Sequence, residues 1–170
     1  EPFADQAGSS LVYRLADQEL SIDCRPGDFI QVNEALNQQM INRALDWLQV
    51  RQDDRVLDLF CGLGNFSLPL AQRAATVVAV EGVTAMVERA RQNAAGQGLD
   101  NLHFHAVDLS QDLSGQRWAT EPFDLVVLDP PRDGALQIAG RLARFAARKI
   151  LYVSCNPATL ARDAALLSEQ

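Results

Sequence analysis

In the stretch Arg55-Val-Leu-Asp58-Leu-Phe60-Cys-Gly62-Leu-Gly64-Asn-Phe-Ser67, an apolar run passes directly into a glycine-rich turn. The run has the length and composition of a buried strand, and a helical pattern opens after the turn. Because Gly62 and Gly64 lack side chains, a ligand can approach the backbone closely at this turn. The stretch therefore predicts a strand, a tight turn and a helix that border a binding site.

Similar apolar runs alternate with helical patterns along the rest of the chain. The predicted strands cover residues 55–60, 76–80, 102–106, 123–128 and 149–153, and the predicted helices cover residues 65–74, 84–95, 135–148 and those after Pro157. This alternation is typical of βαβ units. We therefore expect an α/β fold with an open, mainly parallel sheet and helices on both faces.

The residues before this core have their own pattern. Residues 33–50 form an amphipathic helical pattern that Asn33 can cap, and two alternating stretches, 11–15 and 20–24, predict a hairpin. We divide the chain into an N-terminal extension or hairpin, residues 1–30, and a single domain, residues 31–170.

The composition predicts a globular domain with free thiols. Of the 170 residues, 48% are hydrophobic and 22% charged, and no apolar run approaches the ~20 residues of a membrane helix. We see no signal peptide, so we expect a cytoplasmic protein without a membrane partner. Three widely spaced cysteines argue against a disulfide framework, and His103 and His105 lack a third metal ligand, so we expect no metal site. The net charge of −7 does not suggest a basic nucleic-acid-binding surface.

Four carboxylates lie at the ends of four consecutive predicted strands: Asp58, Glu81, Asp108 and Asp129. Ligands of open parallel sheets bind beyond the carboxyl ends of the strands. Glu81 lies nineteen residues after Gly62, a spacing that suits hydrogen bonds to ribose hydroxyls, so NAD and S-adenosylmethionine are both candidate cofactors. Ser67 replaces the third glycine of a dinucleotide site, and an acidic rim suits the positive sulfonium. The pattern therefore favours S-adenosylmethionine.

A cysteine lies where the last predicted strand gives way to a helix, in Ser154-Cys155-Asn156-Pro157. The helix N-terminus favours a thiolate, which makes Cys155 a candidate nucleophile, although an isolated cysteine is also often a small buried residue. The neighbouring strand is followed by Asp129-Pro130-Pro131-Arg132, where methyltransferases of exocyclic amines carry an aromatic residue instead of arginine. These features indicate a carbon target, because a thiolate that adds to pyrimidine C6 makes C5 nucleophilic. Arg132 can hold a phosphate or the base, or pair with Asp133 or Asp163.

Five segments resemble the RNA uracil-5 methyltransferase family: residues 29–33, 56–66, 80–82, 128–132 and 152–163. The resemblance runs from about Gly27 to Leu167. It implies a Rossmann-like class I methyltransferase fold, S-adenosyl-L-methionine as cofactor and Cys155 as nucleophile. It also implies cofactor contacts at Gln31, Phe60, Asn65, Glu81, Asp108 and Asp129, although at position 108 the family also uses asparagine.

The resemblance implies methylation of uracil C5 in 23S ribosomal RNA, with RNA as the partner and no protein partner evident. The alternatives are uracil-5 methylation of transfer RNA or of another ribosomal uridine, and a module that binds S-adenosylmethionine without turnover. An RNA-binding TRAM domain, a four-cysteine iron–sulfur domain, the last strands of the sheet and the general-base glutamate of such proteins have no counterpart in this sequence, and Glu169 does not match that glutamate. We therefore expect a fragment of the catalytic domain.

Overall fold

The computed structural model describes residues 11–169, which begin with a β-hairpin and a long helix. The hairpin strands are β1 (Leu11–Leu15) and β2 (Leu20–Cys24), and the helix is α1 (Glu34–Leu48). The side chain of Asn33 accepts a hydrogen bond from the backbone N–H of Leu36 at 3.0 Å, so the predicted cap is confirmed.

The hairpin packs on the main body rather than standing apart from it. It contacts α3 (Thr84–Gly96) through two side-chain amides, which pair with the backbone of β2 as the backbone of a neighbouring strand would. Asn93 accepts from the N–H of Asp23 at 3.0 Å, and Gln97 accepts from the N–H of Ser21 at 2.8 Å; each amide also donates to the carbonyl of the same residue. The predicted hairpin is therefore present, and the division of the chain at residue 30 stays a prediction.

A five-stranded parallel sheet forms the centre of the molecule and confirms the predicted α/β class. Its strands are β3 (Arg55–Leu59), β4 (Thr76–Glu81), β5 (Leu102–Ala106), β6 (Leu125–Leu128) and β7 (Lys149–Tyr152). Their order is β5-β4-β3-β6-β7. The chain runs outward from β3 to β5 and then returns to the other side of β3 at β6. The direction of connection thus reverses between β3 and β6, which is where open sheets of this type bind ligands.

Two hydrophobic cores cover the two faces of the sheet, because successive strand residues point to opposite sides. Val56 of β3 lies in the core that the hairpin, α1, α2 (Ser67–Ala71) and α3 share, whereas Leu57 lies in the other core with Trp118, Phe123 and Phe145. The continuous apolar runs of β3, β4 and β6 are therefore strands buried on both faces, whereas the edge strands β5 and β7 are partly exposed.

Two predicted helices differ from the structure. The helix predicted over residues 65–74 is reduced to α2, since Pro69 has no N–H to donate to the carbonyl of Asn65. The helix predicted over residues 135–148 is wrong: α4 (Leu136–Ala139) stops before Gly140, and a separate 3₁₀ turn covers Leu142–Phe145. Glycine is about 1 kcal/mol less favourable than alanine inside a helix. The last helix, α5 (Pro157–Ser168), begins as predicted, with Asn156 as its cap and Pro157 in the first turn.

A buried ion pair joins the amino ends of two strands. Asp54 precedes β3 and accepts hydrogen bonds from both terminal nitrogens of Arg148 at 2.7 and 2.8 Å, and from the N–H of Arg51 at 2.7 Å. The side chain of Asp54 is 3% exposed and that of Arg148 is 30% exposed. The hydrogen bond from Arg148 is the main reason that the pKa of Asp54 lies below its ordinary value.

Asp54→Asn is expected to lower the free energy of unfolding by about 2 kcal/mol at pH 7, because it leaves the partly buried Arg148 with only the longer contact to Asp124, at 3.8 Å. Since the pKa of Asp54 is lowered by folding, its stabilisation is present above the pKa of the unfolded chain. It is lost as pH falls through the folded-state pKa. Urea unfolding should therefore show a difference in free energy of unfolding between the wild type and Asp54→Asn that is smaller below pH 4 than at pH 7. Asp46→Asn, an exposed change on α1, is the control and should unfold like the wild type at every pH.

Among the described residues, no helix has the length and apolar character needed to cross a bilayer.

Candidate active site

The turn after β3 folds back sharply onto β4. The N–H of Cys61 donates to the carbonyl of Val80 at 3.1 Å, which anchors the turn. Gly62 and Gly64 have φ angles of +55° and +100°, as a glycine-rich turn allows, and Phe60 also has a positive φ of +63°. A left-handed conformation costs a non-glycine residue of order 1–3 kcal/mol and is typical of functional sites. The fold therefore holds Phe60 in a conformation that its own preferences oppose.

Glu81 ties the end of β4 to this turn. One carboxylate oxygen accepts from the N–H of Gly62 at 3.2 Å, and the other accepts from the N–H of Val83 at 3.0 Å. The carboxylate is half-buried. It is therefore fixed in orientation by two backbone donors and retains lone pairs for a ligand.

A cavity of about 300 Å³ opens at the carboxyl ends of the strands. Its lining includes three of the six predicted cofactor residues: Phe60 follows β3, Glu81 ends β4 and Asp108 follows β5. Pro131 and Ala135, which follow β6, close another side. The volume is at the lower end of the range for small-molecule sites. The topology thus brings these three predicted residues together at the place where the sheet order predicts a ligand.

Asp108 is an exposed acid at the rim of the cavity. Its carboxylate accepts from the hydroxyl and the backbone N–H of Ser110, at 2.7 and 2.9 Å, and from the side-chain amide of Gln111 at 3.3 Å. The hydrogen bond from the Ser110 hydroxyl is the main cause that lowers the pKa of Asp108, with the backbone N–H next. Asp108 therefore presents a negative charge to the cavity at neutral pH.

Two further carboxyl groups, Asp58 and Asp129, lie at the reversal point of the sheet. Asp58 has no exposed surface, and burial raises its pKa to about 7, with a smaller contribution from the charges of Asp129 and Glu81. Burial likewise raises the pKa of Asp129 to about 6. Sequence reasoning gave both residues a place on an acidic rim but could not show that burial weakens their acidity.

The other three predicted cofactor residues, Gln31, Asn65 and Asp129, do not line this cavity. Asn65 exchanges two side-chain hydrogen bonds with Asn37 of α1, at 2.8 and 3.0 Å, so the glycine turn is also attached to α1. Gln31 is half-buried in the segment before α1.

Cys155 lies exposed between β7 and α5. The hydroxyl of Ser154 accepts from the N–H of Asn156 at 3.0 Å, and the side chain of Asn156 accepts from the N–H of Ala158 at 3.1 Å. The alternative that Cys155 is a small buried residue is therefore wrong. The thiol is open to solvent at the N-terminus of a helix.

The cysteine loop is bound to the loop that follows β6. The carbonyl of Arg132 accepts from the side-chain amide of Asn156 at 3.1 Å and from the hydroxyl of Thr159 at 3.3 Å. The N–H of Val153 donates to the carbonyl of Leu128 at 2.8 Å, so the two loops leave adjacent strands side by side. Cys155 and Asp129 therefore belong to one connected edge of the site.

Asp163 holds these elements together, a role that sequence reasoning missed. It has no exposed surface and accepts from the Tyr152 hydroxyl and the Ala135 N–H, both at 2.6 Å, and from Arg162 at 2.8 Å. Burial opposes its ionisation, but these three hydrogen bonds prevail and lower its pKa. Since Arg162 is the arginine that pairs with Asp163, the pairing suggested for Arg132 is not seen among residues 11–169.

Gly134 shows how closely this cluster is packed. Its φ is +80°, and a Cβ atom there would lie 2.6 Å from a carboxylate oxygen of Asp163. Only glycine fits both the backbone conformation and the space. Within residues 11–169, no group of three or more potential metal-ligating side chains comes together.

Comparisons with known proteins agree with this geometry. The sequence model described as tRNA (Uracil-5-)-methyltransferase matches residues 9–170. The 23S rRNA (uracil(1939)-C(5))-methyltransferase RlmD of Pseudomonas aeruginosa is 55% identical over all 170 residues, and that of Pseudomonas fluorescens is 54% identical. The chain spans about 38% of the length of these curated relatives.

Solved structures show the same architecture. The Pyrococcus abyssi tRNA (uracil-54, C5)-methyltransferase in complex with S-adenosyl-L-homocysteine has a TM-score of 0.78 and 28% identity, over 93% of this chain and 38% of that one. The Thermus thermophilus 16S rRNA N2 G1207 methyltransferase RsmC, in complex with AdoMet and guanosine, has a TM-score of 0.68 and 26% identity, over 95% of this chain and 45% of that one. These likenesses confirm the predicted Rossmann-like methyltransferase fold. With the sequence model covering nearly the whole chain, the protein belongs to the tRNA (uracil-5-)-methyltransferase family.

Proposed function

We propose that this chain binds S-adenosylmethionine at the carboxyl edge of its sheet and that the protein containing it methylates C5 of a uridine in 23S ribosomal RNA. The observation that carries the proposal is the exposed thiol of Cys155. Its loop is hydrogen-bonded to the loop that follows β6, and that second loop borders an acidic cavity. The choice of RNA rests on relatives at 54–55% identity that are named as 23S rRNA methyltransferases. Action on ribosomal RNA also implies a cytoplasmic location.

The residues present fit the cofactor. Phe60, Glu81 and Asp108 line one cavity. The aromatic side chain can pack against a ring of the cofactor, and the two carboxylates can accept hydrogen bonds from ribose hydroxyls and an amino group. Among the described residues, one oxygen of the buried Asp58 has no hydrogen-bond partner, and no cationic side chain lowers the pKa of Asp58. A positively charged ligand would supply what this edge lacks. We assign Gln31, Asn65 and Asp129 to the same cofactor on the resemblance, without a contact to the cavity.

The proposed chemistry begins with Cys155. Its thiolate forms an S–C6 bond with the uracil ring, and the displaced electron pair makes C5 and O4 an enolate. The cofactor supplies a methyl group on a sulfonium. When bound, it would give this methyl to C5, and the S–CH₃ electron pair would stay on the cofactor's sulfur. A base then removes the C5 proton, the S–C6 bond breaks, and Cys155 leaves as the thiolate.

Glu169 is not placed to be that base. It is exposed at the far end of α5. The helix has 12 residues, so at ~1.5 Å per residue its far end lies about 18 Å along the axis from the cysteine loop. We therefore assign proton removal to a group other than Glu169.

Transfer of a radioactive methyl group from S-adenosylmethionine tests the proposal. A protein of the relatives' length that contains this chain should convert a uridine of unmodified 23S ribosomal RNA to 5-methyluridine. The 170-residue chain should bind the cofactor in calorimetry. Labelling of transfer RNA in place of ribosomal RNA would overturn the choice of substrate, and failure to bind the cofactor would overturn the proposal itself.

Glu81→Gln is expected to weaken S-adenosylmethionine binding about tenfold, or about 1.4 kcal/mol. Glutamine can still accept a hydrogen bond from Gly62, so the turn persists, but the cavity loses the charge of Glu81 and keeps that of Asp108. Calorimetric titration measures the dissociation constant. Glu88→Gln, the same change on the exposed surface of α3, is the matched control and should bind as the wild type does. Equal affinities for the two variants would contradict the proposed contact.

A further inference from the structure

Asp58 has an environment that an ionised carboxylate does not tolerate well. It lies on the central strand with no exposed surface. Its Oδ2 accepts a hydrogen bond from the Ser67 hydroxyl at 2.5 Å, whereas its Oδ1 is buried without a partner among residues 11–169. A buried charge with one unsatisfied oxygen is costly unless a cation or a proton compensates it.

The groups that act on Asp58 are neutral or negative. Asp129 at the end of β6 and Glu81 at the end of β4 are both acids whose charge raises the pKa of Asp58, although burial is the larger cause. In the glycine turn, the Cys61 thiol is itself buried, and burial raises its pKa well above the ordinary value, so it stays neutral. Ser67 of α2 contributes its hydroxyl and its backbone N–H, and these two hydrogen bonds lower the pKa of Asp58 by less than burial raises it. Within residues 11–169, no basic side chain acts on Asp58 to stabilise its negative form.

We propose that Asp58 carries a proton on Oδ1 in the free protein and releases it to solvent when the positively charged cofactor binds. The step is an exchange in which the buried O–H bond breaks, the proton leaves, and the cationic groups of the ligand replace it as the compensating charge. Ser67 can keep donating to Oδ2 in both states, so the exchange does not require the acid to move. This inference rests on the proposed binding of S-adenosylmethionine and adds a coupled proton to it.

Coupling between cofactor binding and release of the Asp58 proton makes cofactor affinity rise with pH. Because burial raises the pKa of Asp58 to about 7, about half of the free protein is protonated at that pH. Binding should then release about 0.5 proton per cofactor at pH 7, and cofactor affinity should rise about tenfold from pH 6 to pH 8. Asp129, with a pKa of about 6, is mostly ionised at pH 7 and adds only a small release.

Calorimetric titration of the chain with S-adenosylmethionine in buffers of different ionisation enthalpy measures the protons released. We expect about 0.5 for the wild type and close to zero for Asp58→Asn. Asp108→Asn is the comparison: it removes an exposed acid of the cavity that is ionised at neutral pH, so it should weaken binding without changing the number of protons released.

A second readout uses the wild type alone, in case Asp58→Asn does not fold. The infrared difference spectrum between the free and the cofactor-bound protein should show loss of a protonated-carboxyl C=O band. Cofactor binding with no proton release between pH 6 and 8, or with no such band, would overturn this inference and leave the proposed function standing. Absence of any cofactor binding to the wild type would instead remove the proposed function.

Discussion

Cys155→Ala is expected to reduce methyl transfer to RNA at least about 10⁴-fold, the scale of losses seen when a covalent catalyst loses its nucleophile. Without the S–C6 bond, C5 of uracil is a poor nucleophile, and no positioning of the cofactor replaces that activation. The thiol is exposed, so the free energy of unfolding should change by less than about 0.5 kcal/mol. Cofactor affinity should also stay close to that of the wild type.

RNA that contains 5-fluorouridine gives a direct readout of the bond. Fluorine at C5 cannot leave as a proton does, so the adduct persists after methyl transfer and can be located by mass spectrometry. The wild type should yield an RNA-linked peptide that contains Cys155, and Cys155→Ala should yield none. Cys24→Ala is the matched control, because Cys24 is buried in the hairpin and should not affect adduct formation. An adduct on another residue, or activity retained by Cys155→Ala, would contradict the assignment.

The sheet could be predicted because each strand carries its own signal. Runs such as residues 125–128 are buried on both faces, so they appear in the sequence as uninterrupted apolar stretches. The helix expected over residues 135–148 failed for the opposite reason. Ile138, Leu142 and Phe145 have helical spacing, and all three are buried, but the chain reaches these positions through a break at Gly140. Spacing indicates which residues are buried and does not indicate that one helix carries them.

The site was predictable to the extent that topology determines it. The carboxyl ends of parallel strands lie at one edge, so Phe60, Glu81 and Asp108 could be expected near one another, and they do share a cavity. The weakened acidity of Asp58 could not be foreseen, because it depends on complete burial and on acids from two other strands.

Asp163 escaped prediction because its partners are distant in sequence. In the sequence it is one polar residue of a helical segment, with nothing to mark it as buried. Two of its donors, Tyr152 and the Ala135 N–H, precede it by 11 and 28 residues. Only the fold brings a strand, a loop and a helix to one carboxylate.

Asp163→Ala is expected to lower the free energy of unfolding by about 3 kcal/mol, because it leaves the Tyr152 hydroxyl, the Ala135 N–H and the Nε of Arg162 without their acceptor. Urea unfolding at pH 7 measures this loss. Hydrogen exchange provides the local test, since the Ala135 N–H should lose its protection even under conditions where the variant stays folded.

Two further variants test whether the stability comes from the carboxylate of Asp163 itself or from the residues around it. Asp133→Ala removes an exposed acid from the same loop and should change stability by less than about 0.5 kcal/mol. Tyr152→Phe removes one donor and keeps the ring, so it should cost about 1 kcal/mol. If Asp163→Ala unfolded with the same free energy as Asp133→Ala, the carboxylate would not be what joins the two loops. If Asp163→Ala costs the most stability, Tyr152→Phe less and Asp133→Ala least, the position of Cys155 relative to Asp129 depends on one buried acid of α5. That acid binds both the strand that leads to the thiol and the loop that follows Asp129.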